Sequence, residues 1–177
     1  MLRWAQSKVA GEDRRRRVIP MSLVGVRVEV PSNQPIVLLR ENEGQRYLPI
    51  FIGQPEATAI VYALQGTETP RPMTHDLFKS VLDDLGTKVL QVVITELHDG
   101  TFFAEITLRR GEQSLRISSR PSDAIALAVR MDHEVPILAA EAVLDEAGVL
   151  FEPEETDTDI EEFREFLDQV RPEDFAD

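Results

Sequence analysis

Side chains that can move protons, bind phosphate and hold a divalent cation collect at the starts of three predicted helices. The set contains one histidine, two arginines, three carboxylates and two hydroxyls: Glu56, Arg71, Thr74, His75, Asp76, Arg120, Ser122 and Asp123. Imidazole exchanges protons near neutral pH, guanidinium binds phosphate, and carboxylate oxygens suit Mg²⁺ and Mn²⁺. If the three helix starts converge, this set predicts a site for phosphate-ester chemistry. If they do not, the same residues are ordinary first-turn residues of three separately capped helices.

Each residue of the set has a predicted role. The candidate catalytic groups are His75, Asp76, Asp123 and Glu56, with His75 relaying a proton. The three carboxylates Glu56, Asp76 and Asp123 are also the candidate ligands of Mg²⁺ or Mn²⁺, which would activate a water molecule. The candidate substrate-binding side chains supply two cations and two hydroxyls: Arg71, Arg120, Thr74 and Ser122.

Several other chemistries are excluded by what the sequence lacks. It has no Walker-type Gly-Lys-Ser/Thr loop, Gly-x-Gly-x-x-Gly, His-Glu-x-x-His or Gly-x-Ser-x-Gly motif. It has no cysteine, so disulfides and thiolate metal sites are excluded. The other two histidines are weaker candidates, because His98 adjoins a predicted hairpin turn and His133 follows the end of a helix, where a cation is favourable.

An apolar run must position the groups between Arg120 and Asp123. Residues 124–129, Ala-Ile-Ala-Leu-Ala-Val, have no polar face and predict a helix that is buried all round. Pro121 suits the first turn of this helix. The preceding serines, Ser118 and Ser119, are its predicted caps.

Two further helices are predicted to carry the remaining candidates. One opens at residues 53–56 and runs to about Leu64. The other has Thr74 as its predicted N-cap and ends at Gly86. Its apolar residues fall on one stripe: Leu77, Phe78, Val81, Leu82 and Leu85.

The strand patterns suggest an internal repeat. Alternation beginning at Val24, Val26 and Val28 predicts the first of three strands before the helix at residue 53, and three more precede the helix at residue 121. The two helix openings resemble each other at an offset of 67, which aligns Glu56 with Asp123. A duplicated βββα unit would explain the match, and chance is the competing explanation. The predicted fold class is α+β, a mixed or antiparallel sheet of two βββα-like halves packed with helices, plus a C-terminal helical tail.

The chain divides into three predicted segments. Residues 1–20 are a basic, disordered N-terminal extension, residues 21–151 are the folded domain, and residues 152–177 are an acidic tail with an amphipathic helix. Met21 directly precedes the first clear strand and is a candidate physiological start. The apolar stripe of the C-terminal helix is predicted to fold back on the domain or to bind a protein partner.

The charge and hydropathy limit the partners. A net charge of −13 argues against binding nucleic acid by bulk charge, so such binding would need local arginines or a bridging cation. No apolar run is long enough to cross a membrane, and the N-terminus does not resemble a secretory signal. We therefore expect a cytoplasmic protein without a membrane partner.

Three sequence blocks resemble the bifunctional nuclease domain family. They are Leu-Pro-Ile-Phe-Ile-Gly at 48–53 with Glu56 and Ala57, Arg-Pro-Met-Thr-His-Asp-Leu at 71–77, and Ser-Ser-Arg-Pro-Ser-Asp-Ala-Ile-Ala-Leu-Ala at 118–128. The resemblance covers about residues 21–151. It implies a compact α+β domain, assembly into a homo-oligomer (dimer or trimer), and nuclease activity on both RNA and DNA.

Two functions are compatible with these observations. The leading hypothesis is a phosphodiesterase-type nuclease that acts on RNA or single-stranded DNA with Mg²⁺ or Mn²⁺ as cofactor. The alternative is a non-catalytic ligand-binding or regulatory oligomeric module, in which the polar helix starts bind a small anion or form a subunit interface. Separations of more than roughly 10 Å between His75, Asp76 and Asp123 would favour the alternative, because no single ion could then bridge them.

Overall fold

The computed structural model describes residues 17–30 and 32–150. It contains eight strands and four helices in this range. Their bounds are β1 Val18–Glu29, β2 Gln34–Glu41, β3 Arg46–Phe51, α1 Gln54–Gln65, α2 Thr74–Asp84, β4 Thr87–His98, β5 Thr101–Arg110, β6 Gln113–Ser119, α3 Pro121–Ala128, β7 Ile137–Ala140, α4 Glu141–Ala147 and β8 Val149–Leu150.

All eight strands form one mixed sheet in the order β6-β5-β4-β7-β1-β2-β3-β8. The pair β4 and β7 is parallel, and the other neighbouring pairs are antiparallel. Strands β1 to β3 form one meander followed by α1, and β4 to β6 form a second meander followed by α3. The predicted α+β fold with two βββα-like halves is confirmed, and β7 joins the two halves.

The first strand begins before the predicted domain boundary. Residues 18–21 of β1 pair with residues 140–137 of β7, so the strand that joins the two halves depends on residues assigned in advance to the N-terminal extension. Ile19 and Met21 are buried there. Residues 18–20, predicted to belong to the N-terminal extension, are therefore part of β1.

A bulge changes the side-chain alternation within β1. The register of β1 against β2 shifts between Leu23 and Gly25, and Gly25 has a φ of 146°, in the region that favours glycine. Val24 consequently lies exposed, while Val26 is buried. The predicted uninterrupted alternation through Val24 is therefore wrong, since a bulge exchanges the two faces of the strand.

Two of the predicted helix caps are also wrong. Met73 is the N-cap of α2, and Thr74 is the first helical residue. Arg120 is the N-cap of α3 without a side-chain cap hydrogen bond, because the expected serine caps belong to β6. Pro121 does lie in the first turn of α3, as predicted.

One apolar cluster joins the sheet to all four helices. Alternate strand residues such as Val37, Leu39, Leu48 and Ile50 contribute to it together with the buried faces of the helices. Because alternate strand residues share one face, the helices cover that face of the sheet. Helix α3 is buried from Ala124 to Ala128, which confirms the prediction of burial all round.

Helix α2 is covered on one flank only. Leu82 is buried, whereas four apolar residues of the predicted stripe remain exposed: Leu77, Phe78, Val81 and Leu85. The stripe therefore lies on the surface of the described part of the chain, and its Phe78 lines a cavity together with Ile117 of β6, an edge strand of the sheet.

No helix among the described residues is long and apolar enough to cross a membrane. The predicted C-terminal helix, with its apolar stripe at residues 160–170, lies outside the described residues.

Candidate functional site

Arg120 joins the first turns of two helices. Its Nε donates a hydrogen bond to Asp123 Oδ2 at 2.7 Å, and its Nη2 donates to Asp123 Oδ1 at 3.0 Å. Its Nη1 donates to Glu56 Oε1 of α1 at 2.8 Å. These contacts use three of the five N–H bonds of the guanidinium. The Arg120 side chain is 65% exposed, so the remaining N–H bonds can reach a bound anion.

His75 of α2 reaches the same carboxylate. Its Nε2 lies 3.2 Å from Asp123 Oδ1, within hydrogen-bond distance. A carboxylate that engages one ring nitrogen orients the imidazole and leaves the other nitrogen to exchange a proton with a bound molecule. The structure thus brings four predicted residues of three helices into one chain of contacts: Glu56, Arg120, Asp123 and His75.

Asp123 stays ionised in this setting. Burial alone would raise the pKa of its carboxyl, but the hydrogen bonds from Arg120 and His75 outweigh that effect and hold the pKa below its ordinary value of 3.8. The same hydrogen bond to Asp123, followed by the one to Glu56, raises the pKa of Arg120. Both partners are therefore charged at neutral pH.

Asp76 belongs to a different pair, although it is the neighbour of His75 in sequence. Arg130 Nε donates to Asp76 Oδ1 at 2.6 Å, and the backbone N–H of Met73 donates to Asp76 Oδ2 at 2.9 Å. Arg130 Nη1 donates to the carbonyl of Ala126 at 2.7 Å. Burial raises the pKa of Asp76, but the hydrogen bonds from Arg130 and Met73 outweigh it and lower the pKa overall.

This pair fastens the start of α2 to the end of α3. The Arg130 side chain is only 6% exposed, which makes its contact with Asp76 one of the better buried ion pairs in the described part of the chain. Sequence reasoning missed Arg130. The available signal was a cation directly after an apolar helix, where the exposed backbone carbonyls favour positive charge.

Two cavities meet at Arg120. The first, of about 530 Å³, lies at the starts of α1 and α3, and its walls include Glu56, Arg120 and Ser122. The second, of about 450 Å³, lies between α2 and the strands β5 and β6, and its walls include His75, Arg120 and Asp123. The ion-paired guanidinium therefore separates two spaces, each large enough for a small ligand.

The remaining predicted substrate-binding residues fall in different places. Ser122 is buried and lines the first cavity, and Thr74 lines the second. Arg71 is exposed in the loop before α2, where its carbonyl accepts a hydrogen bond from the Thr69 hydroxyl at 2.6 Å. Arg71 lines neither cavity.

The three predicted metal ligands do not come together as a set. Glu56 and Asp123 share Arg120, whereas Asp76 pairs with Arg130. Among the described residues there is no group of three or more His, Asp or Glu side chains that could hold a metal ion. Each of the three carboxylates is paired with a guanidinium, which already balances its charge.

The family profile of the bifunctional nuclease domain matches residues 37–152. This match covers more than half of the chain and includes every candidate site residue. The chain belongs to the bifunctional nuclease domain family. The relationship inferred from the three motif blocks is thereby confirmed.

Relatives with a similar sequence extend this family assignment. The chain is 48% identical over 162 residues to "Uncharacterized protein Rv1829" of Mycobacterium tuberculosis, covering 86% of this chain and 95% of that protein. It is 30% identical over 117 residues to "Bifunctional nuclease 2" of Oryza sativa subsp. japonica, covering 64% of this chain and 35% of that protein. It is 33% identical over 105 residues to "Bifunctional nuclease 2" of Arabidopsis thaliana, covering 58% of this chain and 31% of that protein. The chain thus spans about a third of these plant proteins.

The three motif blocks come together in this bifunctional nuclease domain. The first block supplies Glu56, the second supplies His75, and the third supplies Arg120 and Asp123, which link the other two through ion pairs. The other histidines lie elsewhere in other contacts. His98 Nε2 is 3.3 Å from Asp99 at the exposed hairpin turn, and His133 Nε2 is 2.8 Å from the carbonyl of Val89.

Proposed function

We propose that this bifunctional nuclease domain hydrolyses phosphodiester bonds of RNA and single-stranded DNA at Arg120, with His75 and Asp123 as its acid–base pair. The observation that carries the proposal is the continuous contact from Glu56 through Arg120 and Asp123 to His75, placed between two cavities. A phosphate held at Arg120 would lie next to the imidazole that must move a proton.

Each group has a defined task in this reaction. The unused N–H bonds of Arg120 would bind the phosphate and stabilise the charge that builds on its oxygens. His75 would take a proton from the attacking water as the new P–O bond forms, and a proton would return to the leaving oxygen as the old P–O bond breaks. Asp123 would orient His75 and stabilise its protonated form.

Local cations would offset the acidic character of the chain. Lys88 and Arg109 are opposite each other on β4 and β5, and Arg110 follows on β5. All three side chains are exposed, and none has an ion-pair partner within residues 17–30 and 32–150. Arg110 lies two residues after Leu108, which lines the second cavity, and therefore shares its face of β5, whereas Lys88 and Arg109 lie on the opposite face. Of the three cations, Arg110 is the one placed to contact the phosphates of a strand bound in that cavity.

Dependence on Mg²⁺ or Mn²⁺ stays a prediction. The carboxylates of one chain do not form a ligand set in the described residues, so the proposed steps do not pass through a metal ion. A bound cation would supply Lewis-acid stabilisation of the phosphate. Assays with EDTA, and with Mg²⁺ or Mn²⁺ restored, test this requirement separately from the roles of His75 and Arg120.

The decisive experiment is cleavage of RNA and single-stranded DNA by highly purified protein. A protein in which both His75 and Asp123 are replaced by alanine should lose the activity. Equal cleavage by this variant, prepared in the same way, would show that the activity comes from a contaminant and would overturn the proposal.

One observation favours a second candidate, the non-catalytic binding or regulatory module. Arg120 is already paired with two carboxylates, which gives the cluster a stable structural role without a substrate. Under this function the purified protein would bind nucleotides or small anions at Arg120 and would not cleave nucleic acid. Titration calorimetry with nucleotides, beside the cleavage assay, distinguishes the two functions.

Self-association into a dimer or trimer forms part of the proposal. Among the described residues β6 is an edge strand of the sheet, and the exposed flank of α2 presents Leu77, Val81 and Leu85. Light scattering coupled to gel filtration should give more than one chain per particle. The L77S/L85S variant should shift the distribution toward the monomer, and an unchanged mass would exclude this surface.

A further inference from the structure

The second cavity is built differently from the first. Much of its wall is apolar, formed by Phe78 of α2, Ile106 and Leu108 of β5, and Ile117 of β6. Its ionisable groups are His75, Arg120 and Asp123, which contact one another at one end. We call this space the α2–β6 groove. Such a groove fits a ligand that has an apolar part for the walls and a charged part for the end at Arg120.

A polar group in the groove wall lacks a partner. The Ser119 Oγ is buried and makes no hydrogen bond to any described residue. Buried hydroxyls are normally hydrogen-bonded, so a buried group without a partner calls for an explanation. A serine hydroxyl turns by rotation about χ1, and Ser119 could therefore bond to the polar edge of a ligand without losing an existing contact.

We propose that the α2–β6 groove holds one unstacked nucleobase of a single-stranded nucleic acid whose phosphate lies at Arg120. The inference rests on the proposed function and adds a base-binding slot to it. A nucleobase has two apolar faces, which match the apolar walls of the groove, and a polar edge, which matches the Ser119 hydroxyl. The Phe78 ring, which is exposed on the groove side of α2, would stack on one face, and Ser119 would bond to the edge.

The slot selects single strands for a geometric reason. A base inside a duplex is stacked and paired, so it reaches a groove beside its own phosphate only after leaving the helix. A single strand carries no such cost. Stacking depends on the π-face and not on the identity of the base, so the slot would accept RNA and DNA alike.

The experiment compares strands that differ only in their bases. Binding of a short fluorescent oligodeoxythymidylate with phosphorothioate linkages is measured by anisotropy against an abasic oligomer with the same length, linkages and charge. The intact chain should prefer the base-containing strand. Phe78→Ala should weaken that binding by roughly 5- to 150-fold and leave the abasic strand unchanged. Phe78→Trp should restore the preference.

Leu64→Ala is the control, because Leu64 is an exposed apolar residue of α1 that lines neither cavity and lies outside the α2 surface proposed for self-association. Its base preference should equal that of the intact chain. An oligouridylate arm should show the same Phe78 dependence, and free thymidine monophosphate should compete for the slot. Thermal melting of each variant checks that it is folded.

The outcomes separate this inference from the proposed function. If the intact chain binds the base-containing and abasic strands equally, the slot is overturned even if the protein cleaves RNA. A preference that survives Phe78→Ala also overturns it. A Phe78-dependent preference without any cleavage supports the slot and overturns the nuclease proposal. Loss of the preference in both Phe78→Ala and Leu64→Ala would show that the effect is not specific to the groove and would overturn the slot.

Discussion

His75 and Asp123 lie 48 residues apart in the sequence, yet the imidazole Nε2 and the carboxylate Oδ1 are 3.2 Å apart. They belong to the first turns of α2 and α3, two different helices. The pair therefore depends on how the two helices are packed. That packing is fixed nearby by Arg130 and Asp76, which join the end of α3 to the start of α2.

Replacing either member of the His75–Asp123 pair should slow cleavage strongly. His75→Ala removes the group that moves the proton, and Asp123→Asn removes the charge that orients it. We expect losses of roughly 10²- to 10⁴-fold in kcat for His75→Ala, the usual range for a general acid–base group. Steady-state cleavage of a fluorogenic RNA measures the effect. His98→Ala, at the exposed hairpin, is the control, and an equal loss there would contradict the assignment.

Breaking the Arg130–Asp76 pair should lower stability more than activity. Arg130→Ala leaves the Asp76 carboxylate without its cation, and Asp76→Asn leaves a buried guanidinium underpaired. We expect the free energy of unfolding to fall by about 1–3 kcal/mol, less than for a fully buried pair because Asp76 is partly exposed. Equilibrium unfolding in urea measures this free energy. In the double variant the two losses should not add, and full additivity would show that the residues do not interact.

Acid should destabilise the chain through the same carboxylates. The pKa values of Asp76 and Asp123 are lower in the folded chain than their ordinary value of 3.8. Their ionised forms therefore stabilise the fold fully above that value, and the stabilisation is lost as pH falls through the lowered pKa values. The Tm of Asp76→Asn should be lower at neutral pH and should fall less steeply toward about pH 2. If the Tm of Asp76→Asn falls with pH as steeply as that of the unchanged chain, Asp76 does not contribute to the acid sensitivity of the fold.

Arg110 on β5 should contribute to the salt dependence of nucleic-acid binding. It is exposed, shares its face of β5 with the groove residue Leu108, and has no acidic partner among the described residues, so it is available to phosphates. The Arg110→Ala variant should reduce the slope of log Kobs against log salt by about 0.7 for single strands. Fluorescence anisotropy at several salt concentrations gives the slope. Arg40→Ala, on β2, is the control cation, and the same change there would point to a general charge effect.

The acidic C-terminal segment should compete with nucleic acid for the arginines of the candidate site, Arg71 and Arg120. Deleting residues 152–177 should then tighten the binding of single-stranded DNA at low salt, and the gain should shrink as salt screens the competition. Anisotropy titrations of the full and shortened chains measure it. Equal affinities at low salt would rule the competition out.

Much of the fold was accessible from local sequence. Period-2 alternation and the Asp99-Gly100 turn predicted the second meander, and both turn residues have the positive φ that such a hairpin needs. The run from Ala124 to Ala128 predicted its own burial because it has no polar face. The caps of α2 and α3 and the bulge in β1 were missed, since they depend on small differences between neighbouring residues that tertiary contacts decide.

The candidate residues were found from their chemistry, and their grouping was decided by the tertiary structure. The sequence by itself determined that His75, Arg120, Asp123 and Glu56 lie at helix starts, because proline, glycine and apolar periodicity are local signals. It could not distinguish the partner of Asp76 from that of Asp123, as both are carboxylates in a first turn. The packing of the helices decides the partners. It places Asp76 beside Arg130 and Asp123 beside His75 and Arg120, because ion pairs depend on where side chains lie in space and not on their order along the chain.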